Sequence, residues 1–134
     1  MISKRIVQEL IKSNRPKFVA EGNYIGCVST VEQRENEKGT TWLAITCTTE
    51  KIGKVYLRYF FTDRAYKRAF RDLQSLAKEF GLTIDLEQFE VRELDYLCDL
   101  FGELCGKEVS VNVTGGVGNY TYKLSKVEKD DLCL

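Results

Sequence analysis

The spacing of apolar residues changes twice along this chain, and the order of those changes is what most limits its fold. From Asn23 to Phe61 apolar side chains recur at every second position, as in strands whose successive side chains point to opposite faces. From Asp63 to Cys105 they recur every three or four residues, as on one face of a helix. From Lys107 to Val127 the period returns to two. A mainly β protein with a helical insert, an α+β fold, is expected.

The elements can be placed from this pattern. Asn23–Val31 reads as the first strand, with Ile25, Cys27, Ser29 and Val31 on one face. The charged turn Glu32–Gly39, with Lys38-Gly39 at its tip, leads into Thr40–Thr49, a second strand rich in β-branched residues. Leu43, Ile45 and Cys47 share one face of it; Trp42, Ala44, Thr46 and Thr48 share the other. Lys51-Ile52-Gly53 connects to a third strand. Asp63 can cap a helix running to Phe80, with Tyr66, Phe70, Leu73, Leu76, Ala77 and Phe80 as its buried stripe and Gly81 as its C-terminal glycine. Residues 82–90 read as an irregular acidic link, and Val91–Cys105 as a second helix with Leu94, Leu97, Cys98, Phe101, Leu104 and Cys105 buried. Gly106 ends it. Lys107–Thr114 and Asn119–Val127 are the last strands, joined by the loop Thr114–Asn119.

Five strands with helices between the third and fourth is the order of the OB-fold, a small Greek-key barrel. Three segments follow: residues 1–21, a short amphipathic helix or arm stopped by Pro16; residues 22–127, the OB-fold domain; and residues 128–134, an acidic tail. In that fold the binding face runs over strands two and three and is flanked by the loops Glu32–Gly39 and Thr114–Asn119.

The third strand, Lys54-Val55-Tyr56-Leu57-Arg58-Tyr59-Phe60-Phe61, is unusual on both faces. Val55, Leu57, Tyr59 and Phe61 make an ordinary core side. Tyr56, Arg58 and Phe60 are too aromatic for solvent and carry a guanidinium that a core would not welcome. Rings interleaved with cations are what a single-stranded nucleic acid needs, bases stacking on the rings and phosphates pairing with the cations. The alternative is a strand buried on both faces, with Arg58 reaching out past its neighbours. The candidate nucleic-acid-binding residues are Trp42, Tyr56, Phe60, Tyr120 and Tyr122 for stacking and Arg34, Lys38, Lys54, Arg58 and Lys107 for phosphates.

Composition narrows the classes. The chain has 134 residues, 43% of them apolar, enough for one domain with its own core. Twenty basic and twenty acidic residues cancel, which argues against indiscriminate coating of nucleic acid. The total hides a partition: residues 1–21 carry a net of +3, residues 63–81 a net of +2, and residues 82–106 a net of −6. Arg64, Lys67, Arg68 and Arg71 form a basic helix face, either a solvated surface or part of a binding site. No apolar run suits a membrane span and no signal peptide is evident, so a cytoplasmic protein with no membrane partner is expected. Five scattered cysteines agree. With no histidine anywhere, Cys98 and Cys105, seven apart, lack partners for zinc, and core packing is expected of them; no cofactor or metal is expected. Histidine-based triads and acid–base pairs are excluded and no nucleophile can be paired with a base, so no enzyme is expected. Gly115-Gly116-Val117-Gly118 lacks the Gly-Lys-Ser/Thr ending of a phosphate loop and joins two strands, so it reads as a hairpin.

At this level the chain resembles the phage-encoded single-stranded DNA-binding proteins of replication and recombination modules. The resemblance covers residues 21–127 and rests on Glu21-Gly22-Asn23-Tyr24, Lys38-Gly39-Thr40-Thr41-Trp42-Leu43, Phe60-Phe61-Thr62, Gly81-Leu82 and Gly106-Lys107-Glu108-Val109. It implies an OB-fold protecting single-stranded DNA, as a homo-oligomer, with RNA as an alternative ligand. The end of the chain, with Asp130, Asp131, Leu132 and Leu134, is similar to the acidic tip by which bacterial single-strand-binding proteins recruit replication or recombination partners. A rival expectation is a protein-interaction module or small inhibitor from a mobile element. It would contact its partner through the acidic helix 91–105, where Asp95, Asp99 and Glu103 recur every four residues.

Overall fold

The structure is a computed structural model and describes residues 3–8, 20–116 and 120–127. Residues 4–8 are helical and exposed. The chain then alternates as its periods require: β1 (Gly22–Glu35), β2 (Thr41–Thr49), β3 (Gly53–Phe60), three helices α1 (Tyr66–Glu79), α2 (Leu86–Arg92) and α3 (Leu94–Gly102), then β4 (Glu108–Thr114) and β5 (Thr121–Lys126).

All five strands join one antiparallel sheet in the order β3-β2-β1-β4-β5. β1 is central and long because it serves two partners in succession, β4 with residues Gly22–Cys27 and β2 with Gly26–Glu35. The two edge strands, β3 and β5, curl towards each other but share no ladder, so the closed barrel expected from the sequence is not formed. The reason lies in α1, which packs against both β3 and β5 and stands over the gap between them.

The core lies on the side of the sheet that α1 and α3 cover. Leu43, Ile45 and Cys47 of β2 meet Val55 and Leu57 of β3 and Val109, Val111 and Val113 of β4; Leu73 and Leu76 of α1 and Leu97 and Phe101 of α3 close it. Each of these side chains contributes about 1.5–3 kcal/mol by leaving water.

Several elements depart from the expected pattern. A bulge between Val28 and Thr30 inserts one residue into β1 and reverses its faces. Val28 and Val31 therefore both point inward, while Ile25, Cys27 and Ser29 are exposed. Asp63 does not cap α1: a turn closed by the Thr62 carbonyl comes first, and the N-cap is Ala65, with no side-chain bond. Tyr66, expected inside, is 46% exposed, and Ala69 takes its place in the core. The acidic link 82–90 is not irregular throughout, because α2 starts at Leu86, where the Asp85 carboxylate accepts from the Glu87 and Gln88 amides. The expected single helix 91–105 is two helices broken at Glu93, the one described non-glycine residue with positive φ (53°). Val91 is consequently outside, 82% exposed. α3 ends at Gly102, and Cys105, expected in the buried stripe, is exposed in the turn that follows. Phe89 pins α2 to the body through Phe70 and Phe61, and the Tyr96 hydroxyl accepts from the Asp85 amide.

Candidate functional site

β3 presents the two faces that its alternation dictates. Val55 and Leu57 are buried and Tyr59 is half-buried on the core side, while Tyr56 is 49% exposed and Arg58 is exposed on the other. The register with β2 extends this outer face into a row. Phe60 sits opposite Trp42, Arg58 opposite Ala44, Tyr56 opposite Thr46 and Lys54 opposite Thr48. Neighbouring strands are about 4.8 Å apart and same-face residues along a strand about 6.6 Å apart, so the row is a continuous aromatic and cationic strip.

The row is ordered by its own contacts. The Trp42 and Phe60 rings lie 5.3 Å apart, tilted at 39°, within the range of favourable aromatic pairs. Trp42 Nε1 is buried with no hydrogen-bond partner among the described residues, so the indole is held by packing. The Arg58 guanidinium lies 5.8 Å from the centroid of Tyr56, a cation–π contact that keeps ring and charge side by side. Ala44 and Thr46, between the two pairs, are buried, so the exposed part of the row is its β3 edge, at Lys54, Tyr56 and Arg58.

β1 contributes the third line of this face. Beyond the bulge, Thr30, Glu32 and Arg34 stand opposite Thr46, Ala44 and Trp42. Arg34 thus belongs to the strip, although it shares its charge with Glu32 at 2.6 Å. Among the described residues Arg58 and Lys54 make no ion pair. Lys38 occupies the tip of the β1–β2 hairpin, at the Trp42 end of the strip. There the Asn36 side chain accepts from the Lys38 and Thr40 amides and Gly39 takes φ 84°.

Three expected residues lie elsewhere. Lys107 is off the row, beside the bulge of β1, its carbonyl accepting from the Val28 amide. Tyr122 pairs in register with Val113 and so faces inward; Tyr120, its ring 6.5 Å from that of Tyr122, accompanies it. Both line a cleft of about 380 Å³ between the edges of β3 and β5, together with Tyr59, Arg68 and Asp72. Sequence reasoning noted Arg68 only as part of a basic helix face and missed Tyr59 and Asp72. Their convergence depends on where α1 crosses the seam, which no local pattern encodes. The tail residues Asp130, Asp131, Leu132 and Leu134, and residues 117–119 of the glycine loop, lie outside the described residues.

No group of three or more Cys, Asp or Glu suited to a metal ion occurs among the described residues. No helix among them is long and apolar enough to cross a membrane. The acidic residues of α3 are exposed, with Asp99 paired to Arg92. No protein-family model matches the chain, and no curated protein matches it.

Proposed function

We propose that this protein binds single-stranded DNA through the outer face of β2 and β3, with bases stacked on Trp42, Phe60 and Tyr56 and phosphates met by Arg58, Lys54, Arg34 and Lys38. The observation that carries this reading is one face of the sheet on which register sets a half-buried Trp42 beside Phe60, and strand alternation sets the exposed Arg58 beside the exposed Tyr56. The exposed Tyr56 ring offers a nucleobase a face to stack on, and the Arg58 guanidinium beside it offers a phosphate a cation. The strand order, with α1, α2 and α3 all between β3 and β4, supports an OB-type architecture left open at one seam. A role in replication or recombination, with assembly as a homo-oligomer, is part of the same proposal and follows only from the resemblance noted in the sequence.

Tyr56→Ala is the cleanest test, because the ring is half exposed and its removal leaves the core intact. One stacking platform is worth about 1–3 kcal/mol, so the dissociation constant for a labelled oligothymidylate should rise roughly 5- to 150-fold, with the melting temperature unchanged. Tyr56→Ala together with Phe60→Ala should lower affinity further. Unchanged affinity in the pair refutes the face assignment. Because few cations are offered, the salt slope should be moderate, about −0.7 per phosphate neutralised.

One observation favours the rival protein-contact reading: α2 buries none of its residues and exposes Leu86 and Val91. Charge reversal at Asp95, Asp99 and Glu103 separates the two. A DNA binder keeps or gains affinity, whereas an acidic contact module loses its partner.

A further inference from the structure

The cleft between the edges of β3 and β5 adjoins the stacking strip, since Tyr56, Arg58 and Phe60 belong to both. At about 380 Å³ it falls at the lower end of the range for small-ligand sites, the size of one nucleotide and not of a folded partner. Ala65, the N-cap of α1, and Ala69 within it line the cleft with short side chains that take little of its space. Tyr120 and Tyr122 line it as well, their rings 6.5 Å apart and tilted at 31°.

Two polar groups enter from α1. Arg68 and Asp72 stand one turn apart, Nε to Oδ2 4.0 Å, with side chains 82% and 54% exposed. An exposed pair at that distance holds itself weakly, so either member can turn to a ligand. Tyr59 lines the same cleft. Burial, with the Asp72 carboxylate adding to it, raises its phenol well above the ordinary value. Its hydroxyl therefore stays protonated.

We propose that this cleft receives one nucleotide of the bound strand and reads its base through Asp72, giving a local preference for cytosine over thymine. The inference rests on the single-strand-binding reading above and adds specificity to it. An ionised carboxylate only accepts hydrogen bonds. Cytosine offers it the N4 amino group, whereas thymine sets the O4 acceptor at the same place. Arg68 and Arg58 are positioned for the flanking phosphates. A base in a single strand is already unpaired, so turning it into the cleft costs only stacking with its neighbours. The outer strip stacks any base, so the protein remains general along the strand and selective at one position.

The test compares labelled oligodeoxycytidylate and oligodeoxythymidylate of equal length by anisotropy, at neutral pH and one salt concentration, on the full chain and on Asp72→Asn. Asp72 is a surface residue, so its substitution leaves folding intact. The wild type should prefer the cytidylate by about tenfold. An asparagine amide, which both donates and accepts, should bring the ratio close to one while thymidylate affinity holds or rises slightly as a negative charge is removed. Equal wild-type affinities, or a cytidylate preference that survives Asp72→Asn, overturn the cleft assignment and leave single-strand binding standing. Binding to neither oligonucleotide overturns both.

Discussion

Gly26 is the position where a single added methyl should do most damage. It lies inside β1 just before the bulge, between Thr49 of β2 and Val109 of β4. A Cβ there would stand 2.9 Å from the Thr48 carbonyl oxygen and 2.9 Å from Thr49 Cγ2, closer than such atoms approach. Neither neighbour yields easily. The carbonyl is main chain, and the threonine is fixed at both ends, Oγ1 donating to the Gly53 carbonyl at 2.8 Å and accepting from the Ile52 amide at 3.1 Å. Swinging Thr49 away forfeits two hydrogen bonds of about 1 kcal/mol each, and moving the strand costs a similar 1–3 kcal/mol. Against this, alanine removes about 0.4–1 kcal/mol of unfolded-chain entropy. Gly26→Ala should therefore lose about 1–2 kcal/mol. With an unfolding entropy of about 2.1 cal/mol/K per residue over 134 residues, 1 kcal/mol is worth about 3–4 °C, so Tm should fall about 4–7 °C. Gly102→Ala is the matched control: a Cβ at the end of α3 meets nothing within 4 Å, and only the entropy gain of about 1–4 °C remains. The assay is thermal unfolding followed by circular dichroism on all three proteins. A Gly26→Ala variant as stable as the wild type would refute the packing argument.

Two further perturbations test the fold. Glu93 holds φ 53° and ψ −126° between α2 and α3, a backbone state costing a side-chain-bearing residue about 1–3 kcal/mol, so Glu93→Gly should raise Tm by about 2–5 °C despite the more flexible unfolded chain; a fall would show that the carboxylate itself holds the junction. The Cys47 thiol, ordinarily at 9.0, is pushed up to about 12 by burial, with Cys27 adding to it. The folded state then keeps a proton that the unfolded chain gives up, so this contribution is complete below about pH 9 and is lost as pH rises from 9 to 12. Urea midpoints across that range should fall more steeply in the wild type than in Cys47→Ala, and equal slopes would contradict the assignment.

What the sequence disclosed and what it hid follow from how local each cause is. The two faces of β3 and the inward set Leu43, Ile45 and Cys47 were readable because strand alternation is a nearest-neighbour property. Gly39 and Gly81 marked their turns correctly, each at positive φ, whereas Gly106, also at positive φ, closes the turn after α3, which already stops at Gly102. The bulge at Ser29 was invisible, since no turn residue announces it, and one extra residue was enough to put Ile25 and Cys27 outside. The break at Glu93 was hidden for the opposite reason: a charged helix former sits where glycine would have advertised a junction. The open seam depends on α1 meeting two strands that are far apart in the chain, so the inward aim of Tyr120 and Tyr122 and the joining of Tyr59, Arg68 and Asp72 could not be read from spacing.

The central claim, that bases stack on the β2–β3 face, can be tested on the chain's single tryptophan. Trp42 lies within the proposed strip, against Phe60. Oligothymidylate and a duplex of equal length should be titrated separately while Trp42 emission is followed at low and at physiological salt, with anisotropy of the same labelled DNA in parallel. Saturable quenching by the single strand that weakens as salt rises is expected, with little response to the duplex. Flat emission and flat anisotropy with both would contradict the claim.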